Sequence, residues 1–173
     1  MADTPAARPL TADDLVDLEE LKRLKYRYLR CIDLKRFDDL VDVLTPDCVA
    51  SYSGGAYHYD GRDAIIAFLR DSMGAETFHS SHRCHHPEID FTGADTATGV
   101  WALDDVVILT DWELTIRGSA YYTDEYVRTP DGWRIHRTGY RRIYEETLPR
   151  ASVPGLKLTA SWWATDGRYE LQV

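Results

Sequence analysis

The spacing of apolar residues is helical near the start of the chain. One wide arc of a helical projection over residues 14–34 holds Leu18, Leu21, Leu24, Tyr28, Leu29, Cys31 and Ile32, and the opposite arc holds Glu19, Glu20, Arg23, Arg27 and Arg30. This pattern predicts a long amphipathic helix with Asp13 or Asp14 as its acidic N-cap. A short second helix over residues 37–44 follows, and we expect Pro46 to end it because proline has no amide hydrogen.

The pattern becomes extended after Cys48. Residues 49–52 and 57–59, separated by Gly54 and Gly55, indicate a hairpin, and residues 61–73 return to a helix. The inward side of that helix is predicted to hold Ala64, Ile65, Phe68 and Leu69. Four extended segments then follow, over residues 78–91, 97–109, 113–129 and 133–144.

Helices followed by a run of strands are typical of the α+β class. We therefore predict N-terminal helices that cover one face of a curved antiparallel sheet, in one domain over residues 13–148. Residues 1–12 are rich in proline and alanine and are predicted to be a flexible N-terminus. Residues 149–173 contain Trp162 and Trp163, so this extension is expected to close over the pocket or to pack on a neighbouring subunit.

Charge and composition narrow the choice of partners. The 173-residue chain has a formal net charge of -9 and no block of lysine or arginine, which argues against nucleic acid or an anionic membrane surface as a partner. No apolar run is long enough to cross a bilayer, so a cytoplasmic location is expected. The three cysteines, Cys31, Cys48 and Cys84, lack paired spacing and are interpreted as buried free thiols.

Several charged residues fall among apolar neighbours. Asp33 lies at the edge of the apolar arc of the first helix, and strand alternation over residues 101–107 turns either Asp104 or Asp105 towards apolar residues. Arg142 alternates with tyrosines at positions 140 and 144. It either pairs with one of the acids as a structural ion pair or contacts a substrate, and the sequence favours neither reading.

Four of the six histidines lie between residues 79 and 86. In an extended segment His79 and His85 face one way while His82 and His86 face the other, so no metal site is predicted. Histidine titrates near neutral pH, which makes one inward-facing copy a candidate general base. The chain has no nucleophile elbow, phosphate-binding loop or dinucleotide fingerprint, so neither covalent nor nucleotide-dependent catalysis is predicted, and no cofactor is expected.

A series of short motifs resembles a known family over about residues 15–148. The motifs are residues 24–28 with Cys31-Ile32-Asp33, His82 followed by Phe91, residues 95–99, residues 122–126, Asp131-Gly132-Trp133 and residues 139–146. In this order they resemble the SnoaL-like family of the nuclear-transport-factor-2-like (NTF2-like) superfamily, which includes scytalone dehydratase and a hexachlorocyclohexane dehydrochlorinase. Residues 30–33, 51–53, 87–89 and 138–146 are most similar to bacterial bile acid 7α-dehydratases.

The resemblance implies a cone-shaped α+β barrel with an internal pocket and a homotrimeric assembly. It implies His82 as the base, Asp33 as the group that orients it and Tyr28 as a hydrogen-bond partner of the substrate. The expected substrate-binding residues are Asp105, Arg142, Tyr52 and Tyr140. His79, His85 and His86 exceed the family pattern and receive no role.

The resulting hypothesis is a cofactor-independent dehydratase that removes water from a hydroxylated polycyclic, steroid or bile-acid-like carbonyl compound. Two alternatives remain open. One is a ketosteroid-type isomerase or dehydrohalogenase that uses the same site, since both need a base and a polarised oxygen. The other is a non-catalytic module that binds an apolar ligand, because folds of this kind host both enzymes and binders.

Overall fold

The computed structural model describes residues 8–168, which form three helices and six strands. In chain order the elements are α1 (Asp14–Asp33), a 3-10 turn (Phe37–Asp42), β1 (Leu44–Tyr52), a 3-10 turn (Ser53–Gly55), β2 (Tyr57–Asp60), α2 (Arg62–Met73), β3 (Phe78–Phe91), β4 (Thr96–Leu109), β5 (Leu114–Thr129), β6 (Gly132–Pro149), a 3-10 turn (Arg150–Ser152) and α3 (Trp162–Thr165). The predicted order of helices and strands is confirmed. The last strand is longer than predicted, since β6 ends at Pro149 rather than at residue 144.

The six strands form one curved sheet in the order β2-β1-β6-β5-β4-β3. The predicted α+β class is confirmed, but the expectation of a wholly antiparallel sheet is wrong at one pairing, because β1 and β6 run parallel. The hairpins from β3 to β6 fix the direction in which β6 arrives beside β1. Local hydrophobic patterns carry no information about that direction, which is why the sequence missed it.

The two long helices bury their apolar sides against the inner face of the sheet. From α1 the buried residues include Leu21, Leu24, Tyr28, Leu29, Cys31 and Ile32, as the helical arc predicted. In α2 the buried residues are Ile65, Ile66 and Leu69. The inward placement of Ala64 is wrong, since Ala64 is exposed and Ile66 is buried instead. The reason is that α2 packs both on β1 and on the 3-10 turn Phe37–Asp42.

Two local predictions about helix ends need correction. Asp13 occupies the N-cap position of α1 but its side chain makes no capping hydrogen bond, whereas the Asp14 carboxylate accepts the backbone N–H of Thr11 at 2.6 Å. The second helix is a 3-10 turn that ends at Asp42, and Pro46 lies inside β1 rather than before it. The ladder between β1 and β6 is irregular between Leu44 and Val49, so proline removes no regular ladder hydrogen bond there.

The ends of the described chain are held against the domain. The Arg8 backbone N–H donates to the Phe91 carbonyl at 3.2 Å, while residues 1–7 of the predicted flexible N-terminus lie outside the described residues. After β6 the chain returns to the start of β3, where Trp163 lies 4.8 Å from the ammonium group of Lys35. Residues 169–173 of the predicted extension also lie outside the description. Within residues 8–168 no helix has both the length and the apolar character needed to cross a bilayer.

The three cysteines are all free. Cys31 and Cys48 are buried, as predicted, whereas Cys84 is only half-buried. Burial raises the pKa of the Cys48 thiol to about 12 and that of Cys84 to about 11, so both are protonated at neutral pH.

Candidate active site

A cavity of about 360 Å³ opens between α1, α2 and the inner face of the sheet. Its size is within the usual range for small-molecule sites. The lining is mostly apolar and aromatic, with a few polar groups; it comprises Tyr28, Ile32, Tyr52, Ser53, Tyr57, Phe68, Leu69, Ser72, Met73, Phe78, His82, Asp105, Val107, Ile116, Tyr122, Tyr140, Arg142 and Glu145. Six of the seven residues predicted from the sequence are in this set, and the seventh, Asp33, lies directly behind His82.

Asp33 holds His82 through both its backbone and its imidazole ring. Helix α1 ends at Asp33, and β3 passes beside that end, so two positions far apart in the chain meet. The imidazole Nδ1 lies 2.7 Å from Asp33 Oδ1, and the His82 backbone N–H donates to Oδ2 at 2.9 Å. Ser80, two residues earlier on the same strand, donates its hydroxyl to Oδ1 at 2.8 Å. Three donors therefore fix this carboxylate.

The contacts of Asp33 select the form of the His82 ring. Burial by itself raises the pKa of Asp33, but the hydrogen bonds from His82 and Ser80 outweigh it and hold that pKa below its ordinary value. An ionised carboxylate only accepts hydrogen bonds, so the proton on the ring resides on Nδ1. The other nitrogen, Nε2, is not held by Asp33 and carries a lone pair that can accept a proton, and His82 is one of the residues that line the cavity.

Two phenol groups meet at the inner end of the cavity. The hydroxyl groups of Tyr28 and Tyr52 are 2.7 Å apart and both residues are buried. Burial raises the pKa of Tyr28 well above its ordinary value, and burial likewise raises the pKa of Tyr52. Both groups therefore remain protonated near neutral pH, and since one hydroxyl donates to the other, one phenol proton is left for a ligand oxygen. Tyr140 is nearby, with its hydroxyl 3.0 Å from the Ser53 hydroxyl.

Asp105 and Arg142 form an ion pair in the wall of the cavity. Strand β4 turns Asp105 inward and leaves Asp104 exposed, which decides the choice that alternation left open. The guanidinium group of Arg142 contacts both carboxylate oxygens of Asp105, with Nη2 at 2.9 Å from Oδ2. Burial lowers the pKa of Arg142, but the contact with Asp105 outweighs this effect and raises it. Of the two readings that the sequence left open for Arg142, the ion pair with an acid is present.

The other three clustered histidines lie away from the cavity. His85 Nε2 lies 3.4 Å from Asp104 Oδ2 at the surface, and His86 is exposed at a bulge in β3. His79 faces a cleft next to the C-terminal extension, and burial lowers its pKa. Within residues 8–168 no three His, Cys, Asp or Glu side chains are grouped as a metal ion would need.

A buried ion pair next to the cavity was missed from the sequence. Lys25 and Asp124 are both fully buried, with Nζ 2.7 Å from Oδ2, a contact without the alignment of a directed hydrogen bond. Lys25 Nζ also lies 3.5 Å from the centre of the Tyr122 ring and 5.0 Å from that of Tyr28. Lys25 follows Leu21 by four positions and precedes Tyr28 by three, which places it on the apolar arc of α1. This position is the feature of the sequence that could have indicated its burial.

A second missed feature is a cluster of aromatic rings in the cavity lining. Phe68 of α2 stacks on Tyr52, Tyr57 and Tyr59, with ring centres between 4.3 and 5.9 Å apart. Such stacked rings give a flat, apolar surface on which a ring-containing ligand can lie.

An imidazole tethered to a carboxylate, facing phenol groups inside a mostly apolar cavity, defines a site suited to proton transfer on a small molecule. The fold around it is an α+β cone. The family follows from a direct comparison: the chain belongs to the SnoaL-like domain family, whose model matches residues 13–139.

Individual relatives agree with this assignment. Rv2910c of Mycobacterium tuberculosis, an uncharacterized protein, is 30% identical over 142 residues, covering 80% of this chain and 94% of the relative. A scytalone dehydratase-like protein from Novosphingobium aromaticivorans superposes with a TM-score of 0.73 at 22% identity, covering 79% of this chain and 91% of that one. A hexachlorocyclohexane dehydrochlorinase, LinA-type3 from Novosphingobium barchaimii, gives 0.72 at 19% identity, covering 84% and 96%. At these identities the solved structures establish the fold.

Proposed function

We propose that the protein is a cofactor-independent dehydratase that uses His82 as a general base. The observation that carries this proposal is the 2.7 Å contact between His82 Nδ1 and Asp33 Oδ1, which leaves Nε2 for the cavity. Fold neighbours that include a dehydratase-like protein and dehydrochlorinases support an elimination reaction.

The proposed reaction removes water from a carbon atom β to a carbonyl group, or across a conjugated enone. His82 Nε2 accepts the proton on the carbon that the carbonyl acidifies, and the electron pair of that C–H bond moves into an enolate. As the enolate collapses, a C=C bond forms and the C–O bond of the hydroxyl group breaks. The imidazolium of His82 returns its proton to the leaving oxygen, so water is released and the neutral base is restored. Asp33 stabilises the imidazolium that forms during the first step.

Phenol groups supply the complementary donors. Tyr28, hydrogen-bonded to Tyr52, donates to the enolate oxygen or to the departing hydroxyl group. A positioned base contributes about 10²–10⁴-fold to such a reaction, and one donor to a developing oxyanion contributes about 2.7–4 kcal/mol. Because the carbonyl group of the substrate holds the developing charge, the proposed chemistry requires neither a metal nor a nucleotide.

The proposed substrate is a hydroxylated polycyclic carbonyl compound of the steroid or bile acid kind. A cavity of about 360 Å³ accommodates a fused ring system, and the stacked wall of Phe68, Tyr52 and Tyr57 provides a flat apolar surface for it. The short motifs similar to bile acid 7α-dehydratases point to the same class.

The test compares His82→Ala and Asp33→Asn with His85→Ala, an exposed histidine on the same strand. Each variant is assayed with a 7-hydroxylated 3-oxo-4-ene steroid and its coenzyme A ester, and the product is measured by mass spectrometry. We expect the first two changes to reduce kcat by about 10²–10⁴-fold and the control to retain wild-type turnover. Near-wild-type activity in both site variants would overturn the proposal.

Halide elimination is a second candidate on the same site, favoured by the similarity of fold to dehydrochlorinases. The base would again be His82, but the leaving group would be chloride. Chloride release from a hexachlorocyclohexane, with no loss of water from hydroxysteroids, would select this reading. An isomerase would instead leave the mass of the steroid unchanged.

We propose further that the protein acts in the cytoplasm as a homotrimer. Free thiols at Cys31, Cys48 and Cys84 suit a reducing compartment. Strands β4–β6 expose large apolar side chains, including Val100, Tyr121 and Ile143, which a second copy could cover. Light scattering on the purified chain should give three times the monomer mass, and a monomer at micromolar concentration would refute the assembly.

A further inference from the structure

Fixed charges around the cavity add up to a negative value. Among the described residues that line it, Arg142 is the only lysine or arginine, whereas Asp105 and Glu145 are both carboxylates. Their depths differ: the Asp105 side chain is 3% exposed and that of Glu145 is 46% exposed. One carboxylate is therefore in the wall and the other at the solvent end.

The guanidinium group of Arg142 has little capacity left for another anion. Its two terminal nitrogens both contact Asp105, and Nε lies 3.0 Å from Glu145 Oε2, although without the alignment of a hydrogen bond. The Cζ atom of Arg142 also lies 5.0 Å from the centre of the Tyr140 ring. Gly118 permits this arrangement, since a Cβ atom there would lie 3.0 Å from Arg142 Nη1. The bidentate pair balances the charge of Arg142 within the protein, which weakens its attraction for a further anion.

Over residues 8–168, no lysine or arginine other than Arg142 lines the cavity to compensate for this excess. Lys25 does not line the cavity and is matched by Asp124 at 2.7 Å. Lys35 lies outside the lining and donates to the backbone carbonyls of Met73 and Phe78 at 2.8 and 2.7 Å. Behind His82, the negative charge of Asp33 interacts with the positive charge of Lys35, so these two residues together add no net charge beside the cavity.

We infer that the cavity selects substrates that are electrically neutral within it, and that Glu145 is the residue that excludes a carboxylate at the mouth. This inference rests on the proposed function and extends it to substrate class. A carboxylic acid enters only as a neutral derivative, an amide, ester or thioester, and Arg142 does not act as an anion receptor. Because Arg142 balances the charge of Asp105, the net negative charge is that of Glu145, which repels an incoming carboxylate at the mouth.

Matched pairs of non-reactive ligands test the inference by binding alone. The pairs are 3-oxo-4-androstene-17β-carboxylic acid with its amide and 2-naphthoic acid with 2-naphthamide, titrated by calorimetry at pH 7 and low ionic strength. We expect each amide that binds to do so at least roughly tenfold more tightly than its acid, and the ratio to shrink as salt is added.

The variant for this test is Glu145→Gln, and its control is Glu146→Gln. Glu146 is the next residue, pairs with Arg117 at the surface and does not line the cavity, so both changes alter the net charge equally. We expect Glu145→Gln to reduce the amide-to-acid ratio at least about threefold, and the control to leave it unchanged.

Any of three results would overturn the inference. The acids could bind as tightly as the amides, the two variants could have equal effects, or neither amide could bind. The outcome is separable from that of the proposed function. A protein without dehydratase activity can still show the charge preference in binding, and an active dehydratase without that preference refutes only the selection of neutral ligands.

Discussion

At the scale of single residues, Asp33 is a half-buried carboxylate kept charged by its hydrogen-bond donors. Its pKa in the folded protein is below the ordinary value of 3.8, because the donors outweigh burial. A depressed folded pKa contributes stability that is fully present above the unfolded value and is lost as pH falls through the folded value. The carboxylate of Asp33 therefore stabilises the fold at neutral pH as well as orienting His82.

Asp33→Asn should lower the free energy of unfolding at pH 7 because the ionised form is lost. The difference from the wild type should narrow below pH 3.8, where the wild-type carboxyl group also takes up its proton. Urea denaturation at several pH values measures both quantities. A difference that stayed constant between pH 7 and pH 3 would show that the charge of Asp33 plays no part in stability.

Tyr28→Phe tests the donor at the inner end of the cavity. The ring stays in place, so the fold should be retained, but the hydroxyl group that meets Tyr52 at 2.7 Å is lost. We expect kcat on a dehydration substrate to fall by about 10²-fold or more, as when an oxyanion donor is removed.

The control for that change is Tyr26→Phe on the same helix, because Tyr26 is exposed and lies outside the cavity. Circular dichroism and steady-state kinetics on both variants separate loss of structure from loss of the donor. Equal kcat values for the two variants would remove Tyr28 from the mechanism.

At the scale of elements, the parallel pairing of β1 with β6 brings two backbones unusually close. Gly139 of β6 is opposite Ser51 of β1, and a Cβ atom on residue 139 would overlap the Ser51 carbonyl oxygen. Because that obstacle is backbone rather than a flexible side chain, the strands themselves would have to separate. Tyr52 and Tyr140 follow these two residues directly, so the same contact sets the spacing of two cavity tyrosines.

Gly139→Ala should therefore destabilise the protein by about 1–3 kcal/mol, the usual cost of overpacking. Thr123→Ala is the control, since Thr123 is the antiparallel partner of Gly139 on β5 and is exposed, where changes usually stay within about 0.5 kcal/mol. Thermal and urea unfolding measure both. An unchanged midpoint for Gly139→Ala would mean that β1 and β6 can move apart without cost.

At the scale of the whole molecule, a buried ion pair joins the first helix to the sheet. Lys25 of α1 contacts Asp124 of β5, and Asp124 also accepts hydrogen bonds from Thr138 at 2.7 Å and Tyr126 at 2.8 Å. Tyr126 in turn accepts from the Trp101 indole at 2.8 Å. This network connects α1 with β4, β5 and β6 directly behind the cavity tyrosines.

Lys25→Met should cost about 3–5 kcal/mol of stability, because it leaves the Asp124 carboxylate buried without its cation. The double change Lys25→Met with Asp124→Asn removes both charges and should recover most of that loss. Urea denaturation of the wild type, both single variants and the double variant completes the cycle. A double variant as unstable as the sum of the single variants would show that the charges are not coupled.

Helical and alternating periodicities were sufficient to place α1, α2 and the six strands, since each reports which side of a local segment avoids water. The same patterns identified Asp33, Asp105 and Arg142 as charges among apolar residues. They did not predict that Lys25 is buried, because a lysine within an apolar arc is normally assigned to the solvent-exposed edge of the helix. They also did not give the parallel pairing of β1 and β6, which depends on how distant segments meet.

The sequence by itself determined the elements, the α+β class and the chemical types available near the cavity, because periodicity and residue chemistry are local properties. Only the tertiary structure decided which of the clustered histidines meets a carboxylate at the cavity: His82 pairs with Asp33 across forty-nine positions, whereas His79, His85 and His86 do not line the cavity. It also decided that Arg142 is committed to Asp105 and Glu145. Distances between remote residues follow from how the sheet curves around α1, and no local pattern encodes that curvature.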